Sequence, residues 1–269
     1  MSRKILFSNI IINTDVPIKV NQYFSFYKEN GKCYLEWIDS PLGIIENTPS
    51  IFVQALRIAL PSIHIYPKTV GEKCIIDTFS SCIIDYFSVE KEKDIVRDYT
   101  IQIEDNIEEI IETYNKLMVH HMKLHKKQQN DYIDFWNVAL NKYLEACDCV
   151  SAERGIESLI SCLETLVVNA SSEISYKTSI FAALIYCISK EDRIATYDFI
   201  KNMYNVRSKV VHGDITSIKK YISTNRIFDD YLRLKEIVSR ILIKMYQKEK
   251  SSFLKNIQES IFTVQLIEK

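Results

Sequence analysis

Glycine and proline are scarce in this chain, five of each among 269 residues, and they are unevenly placed. Pro17, Pro41, Pro49, Pro61 and Pro67 all lie early, with Gly31, Gly43 and Gly71 among them, so turns punctuate the first part repeatedly. After Gly71 only Gly155 and Gly213 remain, and that stretch is free to form long helices. Excess charge is also missing. Lys and Arg total 34 against 35 Asp and Glu, a net charge of −1, so any contact with nucleic acid has to come from a local patch. There is no CxxC pair: the seven cysteines (33, 74, 82, 147, 149, 162, 187) are scattered, and a chain this long needs no disulfide staples. That pattern reads as a reducing cytosol. Long apolar runs are absent too. The longest, Ile180 to Ile188, is too short to cross a bilayer, and the opening MSRKILFSN lacks the apolar core and cleavage site of a signal peptide. A soluble cytoplasmic protein is expected, with 47% hydrophobic residues supplying a sizeable core.

What is present falls into two halves of different character. From Lys4 to about Ile103 the signals are those of strands: Ile5 to Asn13, Gln22 to Glu29 and Lys32 to Asp39 are rich in Ile, Phe, Tyr and Trp. The last two are separated by Asn30-Gly31, the dipeptide favoured in a type I′ hairpin. Beyond Asp105 the spacing becomes helical. Asn106 stands as a cap before a segment with apolar Ile107, Ile110, Ile111, Tyr114, Leu117 and Met118 and acidic Glu108, Glu109 and Glu112 in its first turns. Helices are then predicted over Tyr132 to Cys147, Ala152 to Asn169, Ser175 to Ser189, a segment ending near His212, and Ile227 to Lys248 with a continuation from Phe253 to Leu266. Short connections such as CDCV and SSE place successive helices antiparallel in a bundle. No internal repeat or low-complexity linker interrupts the chain. The expected fold class is α+β, a strand-rich N-terminal domain over residues 1–105 followed by an all-α bundle over 106–269 with a C-terminal helical extension.

One helix concentrates candidate chemistry. Ser189 followed by Asp192 is a capping-box-like start, Ile194, Tyr197, Ile200, Tyr204, Val210 and Val211 recur at helical spacing, and Gly213 can close the end in the left-handed conformation. Near that end stand Arg207 and His212. Five residues separate them, roughly 140° around an ideal helix, so they are not stacked neighbours, although a long arginine can reach along the axis toward the helix end. A histidine with a pKa of about 6.5 can exchange a proton with a ribose hydroxyl near neutral pH. An arginine offers permanent donors to phosphate oxygens as charge builds on them. Phosphodiester cleavage by such a pair needs no metal. The same two residues are equally a solvated arginine and a C-terminal cation favoured by the helix dipole.

Three further features bear on this. Glu164, among Leu163, Leu166 and Val167, is costly if unpaired and is expected to face Arg207, or else Arg154 or Lys177. His121 and His125 sit at i,i+4, a metal-compatible spacing, but without the HExxH glutamate and beside Lys123, Lys126 and Lys127, they read as a basic helix face. Cys147 and Cys149, two apart at a helix end, make a poor tetrahedral template. Between Ser189 and Ile227 eight cations stand against four anions, a modest basic patch suited to RNA phosphates and equally to a solvated face.

The run Tyr204-x-x-Arg207-Ser208-x-x-Val211-His212-Gly213 resembles the signature of the HEPN superfamily, and in this form specifically its Apea-like domains. The preceding segments FWNVALNKYLEA, RGIESLISCLETLVV and SYKTSIFAALIY resemble that family's helices in order, so the resemblance covers roughly residues 106 to 248. It implies a metal-independent endoribonuclease without cofactor, working as a homodimer in which Arg and His of both subunits line one cleft. Carried over, Arg207 stabilises the transition-state phosphate, His212 acts as acid or base, and Ser208, Tyr204 and Glu164 support them. Such proteins are often defence or toxin effectors, with the N-terminal domain as sensor or regulator and a further defence component as partner. The alternative within the resemblance is a non-catalytic dimeric HEPN module that binds nucleotide, RNA or a partner protein. One position departs: where some HEPN toxins carry a tyrosine two residues after the histidine, modified by a nucleotidyltransferase partner, this chain has Asp214.

Overall fold

The computed structural model describes residues 2–7, 10–20, 24–38, 48–61, 67–70, 101–126, 134–149, 151–169, 172–224 and 227–267. The chain forms two compact units, Met1–Tyr132 and Ile133–Lys269. Every described strand lies in the first unit and most of the helix in the second, an α+β arrangement.

In the first unit, strands β1 (Ser2–Phe7), β3 (Ile18–Lys19), β4 (Phe24–Glu29), β5 (Lys32–Ile38) and β6 (Pro67–Val70) form one sheet in the order β3-β4-β5-β1-β6, with neighbours antiparallel. A separate parallel pair joins β2 (Ile10–Ile11) to β7 (Ile101–Gln102). The Asn30-Gly31 hairpin is present: both residues have positive φ (51° and 73°), as a type I′ turn requires, and Glu29 pairs with Lys32 beside it. The period-2 alternation sends Phe24, Phe26, Cys33 and Leu35 to one buried face. Burial and the nearby Glu104 carboxylate push the Cys33 thiol up to about 12, so it stays protonated and inert. Against this face lies helix α1 (Thr48–Ala59), whose Phe52 stacks on Phe24 at 5.4 Å between centroids.

Helix α1 falls in the part expected to be strand-rich. Its run Ile51 to Leu60 is buried apart from half-exposed Gln54, so its polar side is narrow, Ser50, Gln54 and Arg57 at helical spacing with Arg57 itself buried. The proline at position 49, in its first turn, is compatible with a helix start. Helix α2 (Ile107–Lys126) also belongs to this unit and not, as the sequence suggested, to the helical one. It packs on α1, and its Tyr114 meets both Phe24 and Phe52. The buried stripe is Ile110, Thr113, Tyr114, Leu117 and His120. Asn106, expected as a cap, is the last residue of a 3-10 turn (Glu104–Asn106) continuous with the helix. Glu104 instead ties the chain after β2, accepting from the backbone N–H of Asn13 (2.8 Å) and Thr14 (3.2 Å). Residues 71 to 100, expected from the sequence to be strand-rich, and residues 132 and 133 at the start of the next predicted helix, lie outside the described residues.

The second unit contains α3 (Phe135–Cys147), α4 (Ala152–Val167), α5 (Ile174–Tyr186), α6 (Lys190–Val211), α7 (Ile215–Thr224), α8 (Ile227–Met245) and α9 (Lys250–Ile267). Helix α7 was not anticipated. Helix α4 is the hub, packed against α3, α5, α6, α8 and α9. Gly155, Ile156, Leu159, Ile160, Cys162, Leu163, Leu166 and Val167 are all buried along it. Helix termini leave unpaired carbonyls, and here neighbouring side chains supply the donors. Tyr231 Oη donates to Ala146 O (2.9 Å), Lys244 Nζ to Ile185 O (2.8 Å), and Lys250 Nζ to both Thr165 O and Val168 O (2.6 Å each). Inside the bundle Trp136 Nε1 donates to Leu242 O at 2.9 Å. Among the described residues the cysteines 33, 147, 149, 162 and 187 are free thiols, and no helix is long and apolar enough to cross a membrane.

Gly155 is where α4 meets α8 most closely: a Cβ there would lie 2.5 Å from Tyr231 Cε2. The ring is buried and cannot swing away. We expect Gly155→Ala to lower unfolding stability by about 1–3 kcal/mol, in spite of alanine's better helix propensity. Urea titration checks this, and a double-mutant cycle with Tyr231→Leu should recover part of the loss. Additive costs in that cycle would mean that the ring contact is not the cause.

Candidate functional site

Helix α6 begins as its sequence indicates. Ser189 is its N-cap: Oγ accepts from the backbone N–H of Asp192 (3.1 Å) and donates to the Asp192 carboxylate (2.6 Å). Its buried side is Thr196, Phe199, Ile200, Met203 and Val206. Of the apolar residues used to define the stripe, Ile200 is buried, whereas Ile194 and Val211 are more than 45% exposed. The inward face is thus rotated from the expected one, because Thr196 and Met203 fill it. Thr196 is accepted there by pairing its hydroxyl with Cys187 Sγ at 3.1 Å.

This rotation aims Arg207 at α4. Its Nη2 lies 3.8 Å from Glu164 Oε2, an ion pair too long to be a hydrogen bond, with the two side chains 26% and 22% exposed. Its Nε is buried without a hydrogen-bond partner among the described residues, and its Cζ stands 5.7 Å from the centroid of the Tyr204 ring. Glu164 is therefore the partner of Arg207 and not of Lys177, which pairs with Glu173. Tyr204 completes the group. Burial foremost, then the charge and hydrogen bonding of Glu164, push its phenol above the ordinary value, with Arg207 opposing. Three of the five residues singled out in the sequence, Arg207, Glu164 and Tyr204, thus meet in one cluster between α4 and α6.

The other two lie elsewhere. His212 is exposed, and among the described residues its imidazole makes no hydrogen bond or ion pair. It is the C-cap of α6, with its backbone N–H donating to Ser208 O at 3.0 Å. Ser208 is half-buried one turn earlier. Within one chain the ion-pair partner of Arg207 is Glu164 of α4.

The corner after His212 is tightly built. Gly213 has φ +69°, its N–H donates to Val210 O (3.2 Å), and the Asp214 N–H donates to Lys209 O (3.0 Å), the pair of bonds that defines a Schellman close. Asp214 Oδ1 then accepts from the backbone N–H of Ser217 at 3.1 Å, starting α7. Hydrogen bonds from Ser217 hold this exposed carboxyl below the usual range. At the other end of α7, Tyr221 Oη donates to Asp230 Oδ2 of α8 (2.7 Å) and accepts from Asn202 Nδ2 of α6 (3.4 Å). Reading the sequence did not find this bracket. The signal was there in Gly213-Asp214-x-x-Ser217, a helix stop followed at once by a helix start.

Of the remaining candidates, His121 lies on α2 in the first unit, and the side chain of His125 is outside the described residues. Among the described residues no group of three or more His, Cys, Asp or Glu is arranged to hold a metal ion. No family model, curated protein or solved structure compared with the chain matches it significantly.

The raised Tyr204 phenol links the cluster to pH. Its proton is held more tightly in the folded state, so its contribution is complete below a phenol's ordinary pKa of about 10 and fades as pH rises through the folded value. Replacing Glu164 by Gln removes one cause and leaves burial. The Tyr204 titration, followed by NMR of Cζ-labelled tyrosine, should move down yet stay above the ordinary value, and an unmoved titration would show that Glu164 does not act on it.

Proposed function

We propose that the helical unit is an Apea-like HEPN endoribonuclease that cleaves RNA without a metal, through attack of the ribose 2′-hydroxyl. The observation that carries this reading is the state of Arg207: a guanidinium held loosely at 3.8 Å by Glu164, with a buried Nε that has no hydrogen-bond partner among the described residues, about one and a half turns before an exposed imidazole. A buried unused donor costs free energy, and an incoming phosphate oxygen would relieve that cost.

The chemistry assigns one task to each group. A base removes the 2′-hydroxyl proton as the P–O2′ bond forms; the P–O5′ bond breaks and the leaving oxygen takes a proton from an acid. The products are a 2′,3′-cyclic phosphate and a free 5′-hydroxyl. His212, without a hydrogen bond or ion pair among the described residues, fits proton transfer, and Arg207 fits the charge that grows on the non-bridging oxygens. Since Arg207 points toward α4 and His212 toward solvent, one chain presents the two groups in different directions. A homodimer, with the histidine of one copy meeting the arginine of the other over the phosphate, brings them together. In this reading the protein acts in the cytoplasm as a defence or toxin effector, with the first unit as its sensor or regulator.

A second reading, a dimeric HEPN module that binds without cleaving, is favoured by the same ion pair: Glu164 competes with any phosphate for Arg207. Cleavage separates the two. With single-stranded RNA and excess chelator, the parent should release 2′,3′-cyclic phosphate ends, and His212→Ala should lower the rate by roughly 10²–10⁴-fold, the range for a general acid or base. Arg207→Ala should be similarly impaired. Intact RNA with every protein, or equal cleavage by parent and variants, rules out the nuclease. Mixing the two inactive variants tests the dimer: mixed pairs retain one arginine and one histidine across the cleft, so part of the activity should return.

A further inference from the structure

We infer that Asp214 is a positioning residue for His212, and that it works as the joint of two helices and not through its charge. The inference rests on the nuclease reading of His212. The His212 imidazole has no partner of its own among the described residues, so only the backbone around it can fix its direction.

That backbone is determined almost wholly by the next two residues. Gly213 turns the chain at φ +69°, and the Asp214 N–H closes α6 on Lys209 O at 3.0 Å. The same residue opens α7 twice over: its carboxylate takes the Ser217 N–H at 3.1 Å and its carbonyl takes the Ile218 N–H at 3.0 Å. Apart from its contact with α6, α7 is anchored mainly by polar ties, with Asp214 at one end and the Tyr221–Asp230 bond (2.7 Å) toward the other. Ile215 and Ile222 on it are 63% and 40% exposed, so apolar packing secures little of it. With the Asp214 side chain removed, the Ser217 N–H of α7 loses its acceptor, α7 loses its side-chain N-cap, and the corner carrying His212 loosens. Where the family resemblance has a tyrosine open to modification, this chain has a structural joint.

A cap tolerates any short acceptor, whereas a charge effect does not. Asp214→Ser and Asp214→Asn preserve an N-cap acceptor without the carboxylate; Asp214→Ala removes both. Measured on the full chain with single-stranded RNA, Asp214→Ala should lower kcat about tenfold with KM changed less than twofold. The serine and asparagine variants should stay within about twofold of the parent in both. Loss of activity in all three, or in none, overturns the inference, as does a loss confined to KM. Hydrogen exchange gives an answer independent of cleavage. The Ser217 amide should exchange at least tenfold faster in Asp214→Ala and at near-parent rates in Asp214→Ser, and equal protection in the two overturns the joint. If the parent does not cleave at all while exchange behaves as expected, the fault lies with the nuclease reading and the joint stands as a feature of the fold.

Discussion

The enclosure of α4 is the constraint on which the helical unit depends. A helix with neighbours on nearly every side has little room for polar groups, and each must be matched by something on an adjoining helix. Glu164 is the clearest case. It lies among Leu163, Leu166 and Val167, and it finds the guanidinium of Arg207 on α6 and the phenol of Tyr204. The absence of a side chain at Gly155 is the steric counterpart, because that gap admits the Tyr231 ring and lets α8 approach. Lys250 then closes the end of α4 by donating to two of its last carbonyls, at the cost of a burial that holds its ammonium pKa below the ordinary value. The position of Arg207 thus follows from how the hub helix is satisfied.

This view also explains why the arginine and histidine diverge. Five residues along a helix already turn the side chains away from each other, and Glu164 adds a pull on one of them. His212 is left exposed at a helix end where, among the described residues, no side chain pairs with it. Such an arrangement leaves Arg207 engaged by Glu164 and the His212 imidazole without a hydrogen bond or ion pair among the described residues.

Much of this was legible in the sequence, and the reasons differ by element. Asn30-Gly31 named its turn because only residues tolerant of positive φ fit there. The Ser189 cap and the Gly213 stop fixed the two ends of α6 for equally local reasons. The pairing of Glu164 with Arg207 was readable as well, since an apolar stretch makes a lone carboxylate conspicuous. By contrast α1 was hidden by its shortness between Pro49 and Pro61: its polar side is only Ser50, Gln54 and Arg57, and a short apolar run of that kind is not told from a buried strand by periodicity alone. Helix α2 showed its period plainly, yet nothing in its residues told which core its buried stripe would join, and the aromatic cluster of Phe24, Phe52 and Tyr114 decided that. Thr196 and Met203 shifted the inward face of α6 because a threonine paired with a thiol and a flexible thioether pack where larger apolar residues were expected.

The joint at Asp214 has a bearing on which changes of length the chain can bear. Most surface connections absorb an inserted or deleted residue, because their slack is not shared with either neighbouring element. Between α6 and α7 there is no slack. One residue makes the last bond of the first helix and the first bonds of the second. A single added residue would turn α7 by about 100° and advance it about 1.5 Å relative to α6. Tyr221 would then miss both Asp230 and Asn202. The distance in sequence from Arg207 to Tyr221 is therefore under a tighter restriction than the identity of most residues within it, and relatives of this chain should vary there by substitution far more readily than by length.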